Sequence, residues 1–422
     1  MKNIKIVASI LFVAFLTSCQ NDKTEIEQLE AIVEPAELQG AKIDGSYIIV
    51  FNISDADSER TKLSRRAFSS RLEKSDAHKA LASDSKTQID RLISASKFDK
   101  AKISNYYSTQ FNGISVHDVS LDELKSFKNN PKVKAIYYDQ VVPNPMDGVI
   151  IEQSNSESRI ASTQVTPCGI TNAGGFVNGS ASTAWIWIID TGIDTNHPDL
   201  NIILDTRYAK TFVGTSVEDC NGHGTHVAGT AAARNNTIGV VGVSAGAPVV
   251  PIRVFGCTGG ASSSNILAAI NHVGANDAAG DVLNMSLGGL FGANCEANSP
   301  YTAALRAIGN SGTRVALAAG NDAADATVYS PACINGFNIF TVASMTCSRT
   351  FSSFSNFNRS AVDVIATGSS VRSTWLNDGY NTISGTSMAS PHVAGIMHAR
   401  NSGPALSGSV AFGGQSYPIA IR

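Results

Sequence analysis

The stretch GTSMASPHVAG, residues 385–395, places a glycine, a threonine, two serines and a proline at the start of an apolar segment. At a helix N-terminus, unpaired N–H groups and the helix dipole favour developing negative charge. A proline one turn into the helix, Pro391, costs one loosened backbone bond. This pattern favours Ser387 over Ser384 and Ser390 as a reactive hydroxyl. A lone serine at a helix start is usually an N-cap, so the interpretation requires a base and a carboxylate elsewhere in the chain.

Short apolar runs alternate with helical segments after residue 163. The predicted strands are residues 185–189, 249–255, 281–287, 314–319, 338–344 and 361–366. Apolar strands alternating with helices are typical of a parallel sheet flanked by helices. We therefore predict an α/β domain over residues 163–422, with its functional side chains beyond the carboxyl ends of the strands.

Charge and glycine content change sharply near residue 150. Residues 20–150 hold 38 charged side chains in 131 positions, against 27 in the following 272, and only 4 of the 36 glycines precede residue 151. A strand, helix, strand, helix, strand pattern predicts a small α+β domain over residues 44–142. Residues 19–43 are predicted to be a loose tether and residues 143–162 an exposed linker.

The N-terminal segment MKNIKIVASILFVAFLTSC joins two lysines to an apolar run of signal-peptide length. It predicts an export signal over residues 1–18. The ending LTSC, residues 16–19, resembles the bacterial lipobox and predicts lipidation of Cys19. A plain secretory signal with a chance cysteine is the alternative. The net charge of −3 gives no indication of nucleic-acid binding.

Six cysteines remain beyond Cys19. An even number in an exported chain predicts up to three disulfides. A zinc site is the alternative, but the sequence contains no C-x-x-C pair.

A serine nucleophile needs a base and a carboxylate that orients it. Asp190 ends the apolar run WIWII, and Asp194 in the following turn is the other candidate. His223 lies between two glycines in NGHGTHVAGT, and such glycines allow close approach of neighbouring backbone. His226 would pair with it as a metal ligand, but no third ligand or H-E-x-x-H motif is present, so we interpret His226 as structural or substrate-facing.

Donors for an oxyanion and an edge for substrate are also present. Asn321 follows the strand RVALAAG, where a side-chain amide can act beside the N–H of Ser387. The stretch NMSLGG, residues 284–289, ends in two glycines that can pair with an extended peptide.

Five motifs together resemble the subtilisin-like serine proteases, nearest to their proteinase K and aqualysin branch. They are IIDTGID (188–194), NGHGTHVAGT (221–230), NMSLGG (284–289), AAGND (318–322) and GTSMASPHVAG (385–395), in the family's order. The resemblance implies that Asp190 orients His223, that His223 acts as general base and then acid, and that Ser387 attacks the peptide carbonyl.

The same resemblance implies the rest of the site. Asn321 and the N–H of Ser387 would hold the oxyanion. The substrate-binding residues would be Ser286, Leu287 and Gly288 on one edge and Gly259, Gly260 and Ala261 on the other. The first domain resembles the family's propeptide, which implies an exported endopeptidase made as a self-processing zymogen. Its expected partners are protein or peptide substrates and its own propeptide, with membrane contact only through the lipidated precursor and a monomeric state.

Disulfides and calcium complete the expectations. The resemblance implies a Cys220–Cys257 bridge. A Cys333–Cys347 bridge follows from closeness in sequence, and Cys168–Cys295 follows by elimination. Asp363 occupies a position where some relatives bind structural calcium, whereas catalysis would need no cofactor. Only 35 residues follow Ser387, so we expect shortened final helices.

Two other classes of protein fit these motifs less well than a protease does. A catalytically inactive binding module on this fold would lack a triad residue or Asn321, and none is lacking. An esterase or lipase would carry a G-x-S-x-G elbow, but Ser387 lies in Thr-Ser-Met. The sequence does not give the side-chain preference at the scissile bond, the processing site or the natural substrate.

Overall fold

The computed structural model of the chain describes residues 41–95, 98–151 and 163–422. The predicted signal, Cys19, most of the tether and most of the linker lie outside the described residues. Within the described ranges, no helix is both long enough and apolar enough to cross a membrane.

The first domain is an antiparallel sheet with three helices. Its elements are β1 (Ala41–Phe51), α1 (Ser54–Ser64), α2 (Arg71–Ala95), β2 (Ile103–Tyr107), β3 (Asn112–Val116), α3 (Leu121–Lys128) and β4 (Val133–Val142). The strands lie in the order β4-β1-β3-β2. Helix α3 begins with a capping box, in which the side chains of Ser120 and Glu123 each accept a hydrogen bond from the other's backbone N–H. Helix α1 and strand β2 are additions to the predicted pattern.

The second domain is built on a parallel sheet, as predicted. Its helices are α4 (Cys168–Asn172), α5 (His223–Ala232), α6 (Ser263–Asn276), α7 (Cys295–Asn298), α8 (Thr302–Asn310) and α9 (Thr386–Arg400). Its main strands are β7 (Ile186–Asp190), β11 (Pro248–Arg253), β13 (Val282–Met285), β15 (Arg314–Ala318), β17 (Ile339–Met345) and β18 (Val364–Thr367). Successive side chains of β7 pack on opposite faces of the sheet, because strand side chains alternate between faces. Trp187 packs in the core that contains α6, and Ile188 packs in the core that contains α5 and α9.

Shorter strands and a terminal hairpin surround this sheet. They are β5 (Ile150–Ile151), β6 (Val177–Asn178), β8 (Asn201–Ile202), β9 (Lys210–Thr211), β10 (Ser244–Ala245), β12 (Ala261–Ser262), β14 (Gly289–Leu290), β16 (Tyr329–Ser330), β19 (Val371–Trp375), β20 (Gly379–Ser384), β21 (Ala405–Phe412) and β22 (Gln415–Ile421). The sheet order is β21-β22-β18-β17-β15-β13-β7-β11-β8, and β9 also pairs with β11. Helix α9 is therefore followed by the β21–β22 hairpin, which buries Tyr417 completely, and not by shortened helices.

The central strand β7 marks a reversal in strand order. After β7 the chain adds β11 on one side and then returns to add β13, β15, β17 and β18 on the other. In parallel sheets, such a switch point opens a crevice at the carboxyl ends of the strands. Asp190 ends β7, and Ser286 follows the last residue of β13 at this crevice.

Over the part of the chain that the structure describes there are three disulfides, one of which confirms a predicted pairing. Cys220 is bonded to Cys257, as expected. The predicted Cys333–Cys347 and Cys168–Cys295 bridges are wrong, because the structure joins Cys295 to Cys333 and Cys168 to Cys347.

Strand geometry explains both corrections. Strand β17 separates Cys333 from Cys347, and its seven residues span roughly 23 Å at about 3.3 Å each. Pairing of β14 with β16 instead brings the segment before Cys295 beside the segment before Cys333. Helix α4 carries Cys168 to Cys347, whose carbonyl accepts a hydrogen bond from the Asn172 side chain at 3.0 Å.

One of the hydrophobic cores contains residues of both domains. Ile48, Tyr107 and Val142 of the first domain belong to the same buried cluster as Trp187 and the residues of α6. The first domain also caps α6, because the Asp139 carboxylate accepts hydrogen bonds from the N–H of Ser264 at 2.9 Å and from its hydroxyl at 2.5 Å. Strand β12 continues the first domain's sheet by pairing with β4.

Candidate active site

Asp190 and His223 form a buried hydrogen-bonded pair. The Nδ1 atom of His223 lies 2.8 Å from Oδ1 of Asp190, and both side chains are fully buried. The same carboxylate oxygen accepts the N–H of Thr191 at 2.7 Å, which fixes its orientation. Asp194, the other candidate, accepts the N–H of Asp378 and does not contact His223 in a recorded hydrogen bond. The geometry therefore selects Asp190.

Glycines at the start of α5 allow His223 and Asp190 to approach within hydrogen-bond distance. Gly222 has a φ of +102°, a left-handed conformation that side chains disfavour. A Cβ at Gly224 would lie 2.1 Å from the carbonyl oxygen of Gly192 and 3.2 Å from Cβ of Asp190. No larger residue fits this approach, which explains the glycine frame of His223 in physical terms.

Ser387 lies in the first turn of α9, with its side chain near the crevice. Pro391 has no N–H to donate to the carbonyl of Ser387, four residues earlier in the helix. The hydroxyl of Ser286 supplies the missing donor, at 2.8 Å from that carbonyl oxygen. Asn284 Nδ2 in turn donates to the Ser286 hydroxyl at 2.9 Å. The nucleophile's backbone is therefore held from the end of β13.

The reactive atoms of Ser387 and His223 are close to the crevice but not hydrogen-bonded to each other. The Ser387 hydroxyl donates to the carbonyl of Ser286 at 3.3 Å, a long contact. The Nε2 atom of His223 is buried without a hydrogen-bond partner. The Ser387 hydroxyl is thus weakly held and His223 Nε2 has no partner; catalytic hydrogen bonds are often long or unformed in a free site and tighten when substrate binds.

Asn321 is oriented by the residue before the nucleophile. Its Oδ1 accepts hydrogen bonds from the N–H and the hydroxyl of Thr386 at 2.7 and 2.8 Å. With the oxygen held there, the Nδ2 group lies against Gly385, 3.3 Å from the position of a Cβ. Thr386 was not singled out in the sequence, although its place between Gly385 and Ser387 was the available signal.

Two other histidines of the motifs are structural in their contacts. Burial lowers the pKa of His226 to about 3, and its Nε2 lies 2.9 Å from the carbonyl of Val371. Burial likewise lowers the pKa of His392 to about 4, and its Nδ1 lies 2.8 Å from the carbonyl of Met388. Both rings are therefore neutral at physiological pH, and neither contacts Asp190 in a recorded hydrogen bond.

The chain's own residues 141–151 lie in the crevice. Val142 and Val141 pair in antiparallel register with Ala261 and Ser262. A Cβ at Gly260 would lie 2.4 Å from the Val142 carbonyl oxygen, so this glycine is required for the approach. On the far side of Ser387, β5 pairs with β20, the strand that precedes α9. The predicted edge at residues 259–261 is thus filled by the end of the first domain.

Asn144 fixes the segment between these two pairings. Its Nδ2 donates to the carbonyl of Gly259 at 2.9 Å, and its Oδ1 accepts the N–H of Met146 at 3.0 Å. A 3₁₀ turn over Pro145–Gly148 follows. The expectation of an exposed linker from residue 143 onward is therefore wrong at its start, since Asn144 and Pro145 are buried in the crevice.

A cavity of about 370 Å³ opens beside Ser387 and this segment. The residues lining it include Ser286, Leu287, Gly288, Gly289, Asn321 and Tyr329. Most of its walls are small or apolar, and Asp322 is the charged group of the second domain among them. The cavity has the size of a side-chain pocket next to the nucleophile.

The surroundings of Asp363, as far as the structure describes them, do not by themselves show the expected calcium site. One carboxylate oxygen accepts the N–H of Thr341 at 2.8 Å, and the Asp363 carbonyl accepts from the guanidinium of Arg359 at 2.6 Å. Among the described residues no group of three or more acidic, histidine or cysteine side chains could hold a metal. Calcium takes six to eight oxygen ligands, backbone carbonyls and waters among them, so the calcium expectation at Asp363 stays a prediction.

Comparison with family models places the chain. Residues 182–401 match the subtilase family of peptidases, and residues 46–144 match the peptidase inhibitor I9 family. The second domain thus defines a subtilisin-like serine protease and the first an inhibitor-type propeptide. The chain belongs to the subtilase family, which confirms the resemblance read from the five motifs.

Curated relatives agree with this assignment. Alkaline serine exoprotease A of Vibrio alginolyticus is 35% identical over 307 residues, which cover 70% of this chain and 54% of the relative. The extracellular serine proteinase of Thermus sp. (strain Rt41A) is 35% identical over 306 residues, covering 70% and 67%. Proteinase R of Parengyodontium album is 34% identical over 303 residues, covering 70% and 71%. The chain therefore spans about half the length of the Vibrio relative. A solved structure of a cold adapted subtilisin-like serine proteinase aligns with a TM-score of 0.46 at 39% identity, covering 53% of this chain and 77% of that chain.

Proposed function

We propose that the chain is a serine endopeptidase in which Asp190, His223 and Ser387 form the catalytic triad. The observation that carries this proposal is the buried 2.8 Å Asp190–His223 contact at a crevice that holds an extended segment of polypeptide beside Ser387. Substrate would pair with the edges at residues 259–261 and 286–288. An inactive binding module would not need a buried His223 Nε2 without a hydrogen-bond partner.

Each residue has a defined part in the reaction. The Ser387 hydroxyl attacks the peptide carbonyl while His223 Nε2 accepts its proton, and Asp190 holds the imidazole and stabilises its positive charge. Asn321 Nδ2 and the N–H of Ser387 donate to the oxyanion. His223 then gives its proton to the leaving amine, and water hydrolyses the acyl-enzyme. Catalysis in the family needs no cofactor.

The first domain would act as an intramolecular inhibitor that the protease itself removes. Because residues 144–149 cross Ser387 between the β4–β12 and β5–β20 pairings, we place the first cut within them. The capped 3₁₀ turn must open before a peptide bond can reach Ser387. This supports a slow, intramolecular first cleavage.

A Ser387→Ala chain tests the assignment. Loss of a triad that acts as a unit costs on the order of 10⁶ in kcat, so this chain should remain uncut and inactive on casein. Ser407→Ala, which changes an exposed serine of β21, is the control and should process normally. Self-cleavage by the Ser387→Ala chain would refute the triad. Wild-type cleavage of a short-chain ester without cleavage of casein would instead favour an esterase.

We also propose that the precursor is lipid-anchored and the mature protease is a released monomer. Cys19 would carry the anchor on the propeptide side of the cut, so that processing severs the covalent tie. The mature domain has one lysine, Lys210, and no basic amphipathic stretch for membrane binding. The Thermus relative is named extracellular, which agrees with release. Fractionated cells should show wild-type activity in the medium and uncut Ser387→Ala protein in the membrane pellet. Processed wild-type activity that stays in the pellet would contradict release.

A further inference from the structure

Two buried carboxylates of the second domain are neutralised by the first domain far from the crevice. Arg71, at the start of α2, places both terminal nitrogens of its guanidinium on the two carboxylate oxygens of Asp281, one of them at 2.5 Å. Lys74, one turn on, contacts Asp277. Both aspartates are fully buried, and the two basic side chains are only 13% and 12% exposed. These are desolvated ion pairs across the domain boundary.

The second domain forms this site without help from the first. Oxygens of Asp281 accept N–H groups of Trp185 and Ala278 at 2.8 and 2.9 Å and the indole N–H of Trp187 at 2.8 Å. All of these donors belong to the catalytic domain. The carboxylate therefore keeps its orientation when the first domain is absent. A site that is already oriented before its ligand arrives loses little entropy on binding.

The ligand at this site is recognised as a guanidinium. The Arg71 guanidinium carbon lies 4.0 Å from the ring centroid of Trp185, and one of its nitrogens donates to the carbonyl of Thr183 at 2.9 Å. A planar fork that is bidentate on a carboxylate and stacked on an indole is specific for arginine over lysine. We call Trp185, Asp277 and Asp281 the second anchor, since the crevice that holds residues 141–151 is the first place where the catalytic domain binds the propeptide segment.

This anchor is separate from the catalytic centre. Asp281 precedes β13 and Ser286 follows it, so about five residues at about 3.3 Å each place them roughly 16 Å apart at opposite ends of the strand. Contacts at the anchor do not depend on the segment in the crevice being intact. Cutting the chain near residue 144 therefore leaves them in place.

We propose that the second anchor holds the cleaved propeptide on the protease through Arg71 and Lys74, and so delays the appearance of activity after the first cut. This inference rests on the proposed function for its biological meaning, but not for its test. The occupant is the propeptide's own helix α2. Truncating one partner of a buried charge pair acts mainly on the dissociation rate.

The test uses an inactive full-length chain. In a Ser387→Ala background, residues 153–159 are replaced by the recognition sequence of an external site-specific protease, and the purified chain is nicked there. Dissociation of the propeptide from the catalytic domain, which is immobilised on a surface, is then followed at about 50 and about 500 mM salt. Two salt concentrations are used because salt screens buried ion pairs less than exposed ones. Hydrolysis is not involved, so failure here is distinguishable from failure of the proposed function, which is measured on wild type.

Three propeptide variants give the expected result. Arg71→Gln should raise the dissociation rate at least about thirtyfold at both salt concentrations, the lower end of the range for a truncated buried pair. Arg71→Lys keeps the charge but loses the fork and should give an intermediate increase. Arg91→Gln, at an exposed arginine of the same helix, is the matched control and should change nothing. An Arg71→Gln rate equal to that of Arg91→Gln overturns the proposal.

A double-mutant cycle guards against an indirect effect. Asp281→Asn alone should speed dissociation, and the double variant with Arg71→Gln should dissociate no faster than the faster single variant, because the two changes remove the same contact. Additive effects would overturn the direct pairing. If Asp281→Asn does not fold, the Arg71 series decides alone, since the catalytic domain is unchanged in it.

Discussion

The contact between Ser286 and the nucleophile's backbone gives a prediction of definite size. Pro391 leaves the carbonyl of Ser387 without its helical donor, and the Ser286 hydroxyl supplies one at 2.8 Å. Ser286 is fully buried, so Ser286→Ala leaves that carbonyl without a donor. Such a loss costs about 1–3 kcal/mol. We expect the free energy of unfolding to fall by about 2 kcal/mol, or Tm by roughly 4–8 °C.

A second substitution separates this cause from a simple loss of packing. In Pro391→Ala the new N–H at position 391 can donate to the Ser387 carbonyl in the ordinary helical pattern. The damage from Ser286→Ala should therefore be smaller in the Pro391→Ala background. We expect a coupling free energy of about 1 kcal/mol or more between the two positions, which is the range for residues that share one network.

The assay is thermal unfolding of four chains that all carry Ser387→Ala, so that none digests itself. The backbone carbonyl at position 387 is unaffected by that change. Ser390→Ala is a useful comparison, because its hydroxyl donates to Asn284 and not to the Ser387 carbonyl. Additive effects of Ser286→Ala and Pro391→Ala, with coupling near zero, would refute the role assigned to the serine hydroxyl.

Three further predictions concern pH, the cleft segment and a disulfide. Burial keeps His226 and His392 neutral in the folded chain, with pKa values of about 3 and about 4, while their unfolded values are about 6.5. Because the unfolded state binds more protons, each histidine should lower the free energy of unfolding by up to about 1.4 kcal/mol per pH unit as the pH falls from about 6.5 to 4. An uncut Ser387→Ala chain that is as stable to urea at pH 5 as at pH 7 would contradict this. Asn144→Ala removes the cap of the 3₁₀ turn Pro145–Gly148 and, at about 1 kcal/mol per cap, should speed the first cut about fivefold. A time course on gels measures this rate. Slower processing would show that Asn144 instead positions the bond to be cut. Replacing both Cys220 and Cys257 by alanine opens a 37-residue loop, worth about 4 kcal/mol in the chain-entropy model, and an unchanged Tm would rule that contribution out.

The parts of the site that the sequence predicted are those set by local structure. A carboxylate at the end of an apolar strand, a histidine between glycines and a serine at a helix start are each identifiable within ten residues. The parallel sheet then brings Asp190 to His223, because the carboxyl ends of its strands meet at one edge. Ser286 was predicted to line the substrate pocket, but its hydrogen bond to the Ser387 carbonyl was not, since that bond depends on how α9 packs on β13.

Pairings between distant segments could not be predicted in the same way. Cys333 and Cys347 are close in sequence, yet a strand carries them apart, and only the pairing of β14 with β16 shows why Cys295 meets Cys333. The start of the linker reads as a polar, proline-rich turn, and nothing local indicates that Asn144 is buried against Gly259. The terminal hairpin is likewise not evident from the sequence, because its position depends on the pairing of β22 with β18.

The contacts of helix α6 show what the charge-rich composition of the first domain does not reveal, namely which of its charged side chains bind the second domain. Asp139 caps its N-terminus, where the helix dipole favours negative charge. At its other end, the Asp277 carboxylate lies at the negative end of the dipole, an unfavourable position that Lys74 offsets. The first domain thus supplies a charge of the required sign at each end of one helix in the second domain. Two of the 38 charges counted in residues 20–150 have these roles, and no count could distinguish them from the other charges. What marks them is burial in the assembled chain, where Asp139 and Lys74 contact opposite ends of α6.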